Sequence, residues 1–128
     1  MQINRSGQLI KAKVNSLPFV DHYGITLIQN GKIYILHNTP FKSSVMDPIE
    51  NWIQDRQITG VENTELCNKS NEYIIQQFNT LCKKPYDLLS YNCEHFIDCM
   101  LSRQRKSEQM VNWIGLGALA VGAYYLLK

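Results

Sequence analysis

The sequence has no strong excess of charge of either sign. Among its 128 residues, 13 are lysine or arginine and 11 are aspartate or glutamate, so the formal net charge is +2. These charges are spread along the chain and do not form a concentrated basic stripe. A nucleic-acid-binding domain carries such a stripe, and we therefore do not expect nucleic acid as a partner.

Zinc-type cysteine spacing and a secretory leader are also missing. No two of the four cysteines (Cys67, Cys82, Cys93 and Cys99) have the C-x-x-C spacing of a zinc site. We therefore expect no metal and no cofactor. Residues 1–17 lack the apolar run of a secretory signal. Two disulfides are arithmetically possible, but without export we expect free thiols in a reducing compartment.

The N-terminal half has the pattern of an antiparallel sheet. The length allows one domain with a tail, and a body of about 105 residues can bury one modest core. Residues 8–14 read as a strand that Pro18 ends. Asn30-Gly31 then separates two β-prone runs, and this dipeptide supplies the two positive φ angles of a type I′ hairpin turn. Both faces of the hairpin are apolar, which favours central strands covered on both sides.

Three helices are predicted in the body. Asp47 has the position of an N-cap, with Pro48 at the first helical residue and Glu50 closing a capping box, for a short helix to about residue 55. A strand and a loop are expected over residues 57–68. Helical spacing of apolar residues continues over 70–82 until Pro85. The last helix begins after Asn92 and carries an apolar stripe formed by Cys93, Phe96, Ile97, Met100 and Leu101.

The C-terminal segment Met110–Leu127 differs from the body. Its 18 residues carry no charge, close to the minimum of about 17 that crosses a bilayer core. Aromatic and basic residues flank it: Trp113, Tyr124 and Tyr125 near its ends, and Arg103, Arg105 and Lys106 before it. This arrangement predicts a membrane anchor with the body in the cytoplasm. The alternative is a buried C-terminal helix of the body.

The hairpin register brings two histidines together. If Asn30 and Gly31 form the turn, Gly24 faces His37, and His22 and His37 lie on the same face as diagonal neighbours about 7–8 Å apart. Gly24 between them leaves space where another residue would place a side chain. Two imidazoles on one face indicate a site for proton transfer.

Cys93 is the candidate nucleophile for this pair. In the first turn of a helix, unpaired amides and the helix dipole lower a thiol pKa, and the Cys93 amide can help to bind an oxyanion. One imidazole would act as base and the second would orient it. The alternative is a packed core cysteine, because Cys93 lies on the apolar stripe. His95 is interpreted as a structural or capping residue, and the other three cysteines as packing residues.

Four segments together resemble the lecithin:retinol acyltransferase family and its phospholipase/acyltransferase relatives. YDLLSYNCEHF at 86–96 resembles the nucleophile motif of that family. DHYGI at 21–25 and ILHNTP at 35–40 are similar to its two histidine motifs, and GQLI at 7–10 is similar to its opening strand. The resemblance extends over residues 6–103 in order, and a C-terminal hydrophobic anchor is also common in the family.

The resemblance implies a fold and an activity. The fold is α+β, a circularly permuted papain-like (NlpC-type) domain over residues 1–106 with an antiparallel sheet packed on helices, followed by the anchor helix 110–127. The activity is transfer of an acyl chain from a phospholipid to the cysteine as a thioester, and then to water or another acceptor, without a metal or cofactor. By the same resemblance Cys93 is the nucleophile, His22 the general base and acid, and His37 its polarising partner. The phospholipid membrane would be both substrate and anchor.

Two other functions fit the same residues. The superfamily includes thiol peptidases and isopeptidases with a related histidine and Asn-Cys motif, which would cleave a conjugated protein instead of a lipid ester. A membrane-anchored interaction module that keeps the motifs without catalysis is the second alternative. Glu94, His95 and the C-terminal segment favour the lipid enzyme.

Overall fold

The computed structural model describes residues 2–40 and 42–102, except for the side chains of residues 17–20. This part of the chain is α+β, with a five-stranded antiparallel sheet and a few short helices. The strands are β1 Leu9–Val14, β2 Leu17–Gln29, β3 Lys32–Thr39, β4 Ser43–Pro48 and β5 Arg56–Glu62, in the order β4-β3-β2-β1-β5. The helices are α1 Ile49–Trp52, α2 Asn71–Gln77 and α3 Cys93–Met100, with a 3₁₀ turn at Glu65–Asn68 and a π-helical turn at Phe78–Cys82.

The predicted hairpin between β2 and β3 is confirmed. Asn30 and Gly31 have φ angles of 54° and 75°, as a type I′ turn requires. Gln29 pairs with Lys32 and the ladder continues to Ile25↔Leu36, which is the predicted register. Pro18 lies within β2 and does not end a strand, so that prediction was wrong. The β1–β2 pairing has an irregularity after Lys13, and proline is tolerated near such a break in a ladder.

Both faces of the sheet are covered, as the sequence predicts. Ile25, Leu27 and Leu36 point to the helical side, where they join a buried cluster with Phe96 and Ile97 of α3. A second cluster on the opposite face contains Ile10, Ala12, Ile35 and Trp52. Alternating residues of the hairpin therefore enter two separate cores, which holds β2 and β3 rigidly between them.

The predicted cap of the first helix was wrong. Asp47 belongs to β4, Pro48 occupies the N-cap position, and no side chain caps the four residues of α1. The capping pattern was overridden by a tertiary contact, because the Asp47 carboxylate pairs with His37. The helix predicted over 70–82 is present as α2 followed by the π-helical turn, and a strand and a loop occupy the region predicted for them.

A disulfide joins Cys82 to Cys99, and their Cα atoms are 5.7 Å apart. The π-helical turn ends at Cys82 and packs against the last turn of α3, which brings the two sulfurs together. The prediction of free thiols was therefore wrong for this pair. Cys67 and Cys93 are free.

The predicted anchor Met110–Leu127 and the basic residues before it lie outside the described residues. Within residues 2–40 and 42–102, no helix is long and apolar enough to cross a membrane.

Candidate active site

The first turn of α3 presents Cys93. The Asn92 side chain accepts hydrogen bonds from the backbone N–H groups of Glu94 at 3.0 Å and His95 at 3.1 Å. In return, Nδ1 of His95 accepts the backbone N–H of Asn92 at 3.2 Å, which completes a capping box. The predicted N-cap and the predicted capping role of His95 are both confirmed. This reciprocal cap fixes the orientation of the residue between them.

The Cys93 thiol lies against β2 beside the position of His22. Its Sγ is 3.8 Å from the carbonyl oxygen of Asp21, and the backbone N–H of Tyr23 also acts on it. Asp21 and Tyr23 flank His22 in the chain, and this contact is just beyond the Ile25 end of the β2–β3 ladder. The structure thus places the predicted nucleophile beside the strand that carries the predicted base.

The Cys93 side chain is a buried, protonated thiol. Cys93 is only 6% exposed. Burial, assisted by the Glu94 carboxylate, raises its pKa to about 12, although the N–H groups of Tyr23, Cys93 and Glu94 act in the opposite direction. The expected lowering of the thiol pKa was therefore wrong. Amides at the helix start do favour the thiolate, but desolvation at a buried site outweighs them.

His22 is a neutral, partly buried imidazole. Burial, with smaller contributions from the positive charges of Arg56 and of a protonated His37, lowers its pKa to about 4. Within the described residues, no hydrogen bond joins its ring to the Cys93 thiol. At neutral pH His22 is thus a neutral imidazole and Cys93 a protonated thiol.

His37 is held by the carboxylate of Asp47, which the local sequence pattern places at a helix cap. It is 2% exposed, and its Nε2 donates to Oδ2 of Asp47 at 2.7 Å. Burial lowers the pKa of His37 to about 4, against the opposing effect of the Asp47 hydrogen bond. The ring also meets Trp52 edge-on, with 6.1 Å between centroids. These contacts fix the ring of His37 in one orientation.

The two histidines interact, but the space predicted between them is filled. The positive charge of a protonated His37 lowers the pKa of His22, so the two rings are close enough to interact through space. A Cβ on Gly24 would meet the Ile35 side chain and would lie 3.2 Å from the Leu36 carbonyl oxygen. Glycine is therefore required there because Ile35 packs over it.

Arg56 lies near both histidines, and no motif in the sequence indicates it. Its guanidinium lies 5.1 Å from the Trp52 ring centroid, and its Nη1 donates to the Trp52 carbonyl at 2.9 Å and to Asp55 at 3.1 Å. The positive charge of Arg56 lowers the pKa of both His22 and His37. Burial lowers the pKa of Arg56 itself, and the negative charge of a Cys93 thiolate would raise it. The sequence signal for Arg56 is its spacing in β5, because side chains two positions apart in a strand share a face and Ile58 points inward.

A cavity of about 330 Å³ opens next to His37. It is lined by His37, Thr39, Lys42, Asp47, Asn51, Gln54, Asp55 and Arg56. Within residues 2–40 and 42–102, no group of three or more His, Cys, Asp or Glu side chains is arranged to hold a metal ion. Comparison of the chain with known protein families, curated proteins and solved structures found no match.

Proposed function

We propose that this chain is a thiol-dependent phospholipid acyl hydrolase or acyltransferase with a circularly permuted papain-like fold. The observation that carries the proposal is the contact of Cys93 Sγ with the β2 backbone beside His22, made by the first turn of a capped helix. The order of the motifs supports it, because both histidines precede the cysteine. The resemblance of residues 86–96 to the family's nucleophile motif favours a lipid ester as the substrate.

The proposed reaction has two halves. The Cys93 sulfur attacks the ester carbonyl while His22 accepts the thiol proton, and the lipid alcohol leaves with that proton as the thioester forms. Water or another acceptor then attacks the thioester, with His22 again taking and returning a proton. His37, fixed by Asp47, acts as a positioning residue for His22. No step of this proposal uses a metal.

The proposal includes attachment to a membrane. The uncharged segment Met110–Leu127 would serve as a C-terminal tail anchor, and the basic residues before it would keep the body in the cytoplasm. The active site would then be held next to its phospholipid substrate.

Intact-mass measurement tests the proposed function directly. The full-length chain incubated with phosphatidylcholine vesicles should gain the mass of one acyl chain, and hydroxylamine should remove it as it removes a thioester. Cys93→Ser should gain none, whereas Cys67→Ser, which removes the other free cysteine, should behave like the wild type. An adduct that persists in Cys93→Ser would refute the assignment.

One observation favours a second candidate, the non-catalytic membrane-anchored interaction module. The thiol is buried and protonated, and among the described residues it makes no hydrogen bond with His22. This candidate predicts that Cys93 gains no acyl chain from vesicles. It also predicts that His22→Ala leaves the reactivity of Cys93 with an acyl-chain electrophile unchanged.

A further inference from the structure

Several hydrogen-bond donors that line the cavity beside His37 have no acceptor within the described residues. Arg56 lines the cavity, and of its side-chain nitrogens only Nη1 makes hydrogen bonds within the described residues. Within that part of the chain, neither of the two N–H donors of Nη2 has an acceptor. The amides of Asn51 and Gln54 also line the cavity, and neither makes a side-chain hydrogen bond within that part of the chain.

The two carboxylates of the cavity are already engaged. Asp47 accepts from His37 at 2.7 Å and from Lys42 at 3.3 Å through the same oxygen. Asp55 pairs with Arg56 at 3.1 Å, and its side chain is 64% exposed, so solvent screens its charge. The Arg56 side chain is only 12% exposed, and a cation in such a place acts more strongly on a ligand.

We propose that this cavity binds a phosphate group, with Nη2 of Arg56 as its principal donor and the amides of Asn51 and Gln54 and the ammonium of Lys42 around it. A phosphate has several acceptor oxygens and no need of an acceptor from the protein, which matches a site that offers donors in several directions. Arginine binds such a group through more than one N–H.

The position of the cavity connects it to the catalytic residues. Arg56 and His37 both line the cavity and both contact Trp52, at 5.1 Å and 6.1 Å from its ring centroid. The charge of Arg56 lowers the pKa of His22, and a Cys93 thiolate would raise the pKa of Arg56. A phosphate held at Arg56 would thus lie close to the reacting ester. The inference that this phosphate is the phosphodiester of the acyl donor rests on the proposed function.

Equilibrium dialysis of labelled glycerol phosphate against full-length Cys93→Ser protein in nonionic detergent tests the site without catalysis. We expect saturable binding that inorganic phosphate competes for and acetate does not. Arg56→Gln should weaken binding by about tenfold or more, with partial recovery in Arg56→Lys. The exposed Arg5 provides the control, because Arg5→Gln should bind as tightly as the parent. Absence of saturable binding, or equal binding by Arg56→Gln, would overturn the proposal.

A second variant covers the case in which Arg56→Gln does not fold. Gln54 is exposed, so Gln54→Glu adds a negative charge to the cavity without disturbing the Arg56–Trp52 contact. It should also weaken glycerol phosphate binding, and unchanged binding would count against the site.

Displacement of glycerol phosphate by short-chain phosphatidylcholine, but not by the matching diacylglycerol, would assign the phosphate to a lipid head group. Displacement by inorganic phosphate alone would overturn that assignment and leave the thioester test unaffected.

Discussion

His37 and Lys42 share one carboxylate oxygen of Asp47. Nε2 of His37 lies 2.7 Å from Oδ2, and Nζ of Lys42 lies 3.3 Å from the same atom. Burial alone would raise the pKa of Asp47, but the hydrogen bonds and charges of these two partners lower it below its ordinary value. Asp47 is therefore a fixed negative charge beneath a buried imidazole, and it determines the direction in which the His37 ring points.

Replacement of Asp47 by alanine should destabilise the protein. The His37 hydrogen bond is buried and charge-assisted, and its loss should lower the free energy of unfolding by about 1.5–3 kcal/mol. Urea unfolding of Asp47→Ala beside the wild type measures this difference. Asp55→Ala is the matched control, because its ion pair with Arg56 is largely exposed and should contribute less than about 1 kcal/mol. Equal losses in the two variants would contradict a special role for Asp47.

His22→Ala should slow formation of the acyl adduct by about 10²–10⁴-fold, the usual effect of removing a general base. The loss should be smaller for His37→Gln, because in the proposed mechanism His37 acts only through His22 and glutamine can still donate to Asp47. Single-turnover adduct formation followed by intact mass gives both rates. If His37→Gln is the slower variant, the roles assigned to the two rings are reversed.

The stability of the fold should decrease in mild acid. Burial lowers the pKa of both His22 and His37 from 6.5 to about 4. Between pH 6.5 and pH 4 the unfolded chain therefore binds protons that the folded chain does not, and the free energy of unfolding falls as the pH falls. The buried His37 alone contributes up to about 3 kcal/mol to this fall. Urea titrations across this range test it, and His37→Gln should flatten the profile; an unchanged slope in that variant would contradict it.

Local sequence patterns predicted the parts of the site that depend on neighbours in the chain. The Asn30-Gly31 turn fixes the register of β2 and β3, and with it the shared face of His22 and His37. Asn92 likewise fixes the start of α3 and hence the position of Cys93. In these cases one or two residues determine the backbone, because the required φ angles or hydrogen bonds are made within a few positions.

Contacts between distant segments were not predictable in this way. Asp47 fits a helix cap by its neighbours, but its partner is His37, ten positions earlier and on the adjacent strand. The thiol pKa of Cys93 depends on how completely the site is buried, which local helix geometry does not determine. Arg56 contacts Trp52, and its charge interacts with groups on three other elements, which are His22, His37 and Cys93. No short sequence motif predicts these contacts.

Removal of the Cys82–Cys99 disulfide should destabilise the body. The bond closes a loop with a sequence separation of 17, and crosslinks of that size contribute about 3 kcal/mol by restricting the unfolded chain. Cys99→Ser should therefore melt at lower temperature than the wild type, whereas Cys67→Ser, at a free cysteine, should not. Thiol titration of the denatured, unreduced chain should find two free thiols, and four would show that the bond is absent.

Truncation after Lys106 should separate the body from its membrane attachment. Met110–Leu127 carries no charge over 18 residues, close to the minimum of about 17 that crosses a bilayer core. Residues 1–106 should then be soluble and folded, and should still react with short-chain, water-dispersed esters. They should lose activity on bilayer phospholipid, because only the full-length chain holds its site at the interface. Thermal melting of the truncated form, beside flotation of the full-length chain with liposomes, measures both properties.

If the segment is instead a buried helix of the body, its removal exposes apolar core. An aggregated truncation, together with a full-length chain that stays in the aqueous fraction, would therefore rule out the anchor.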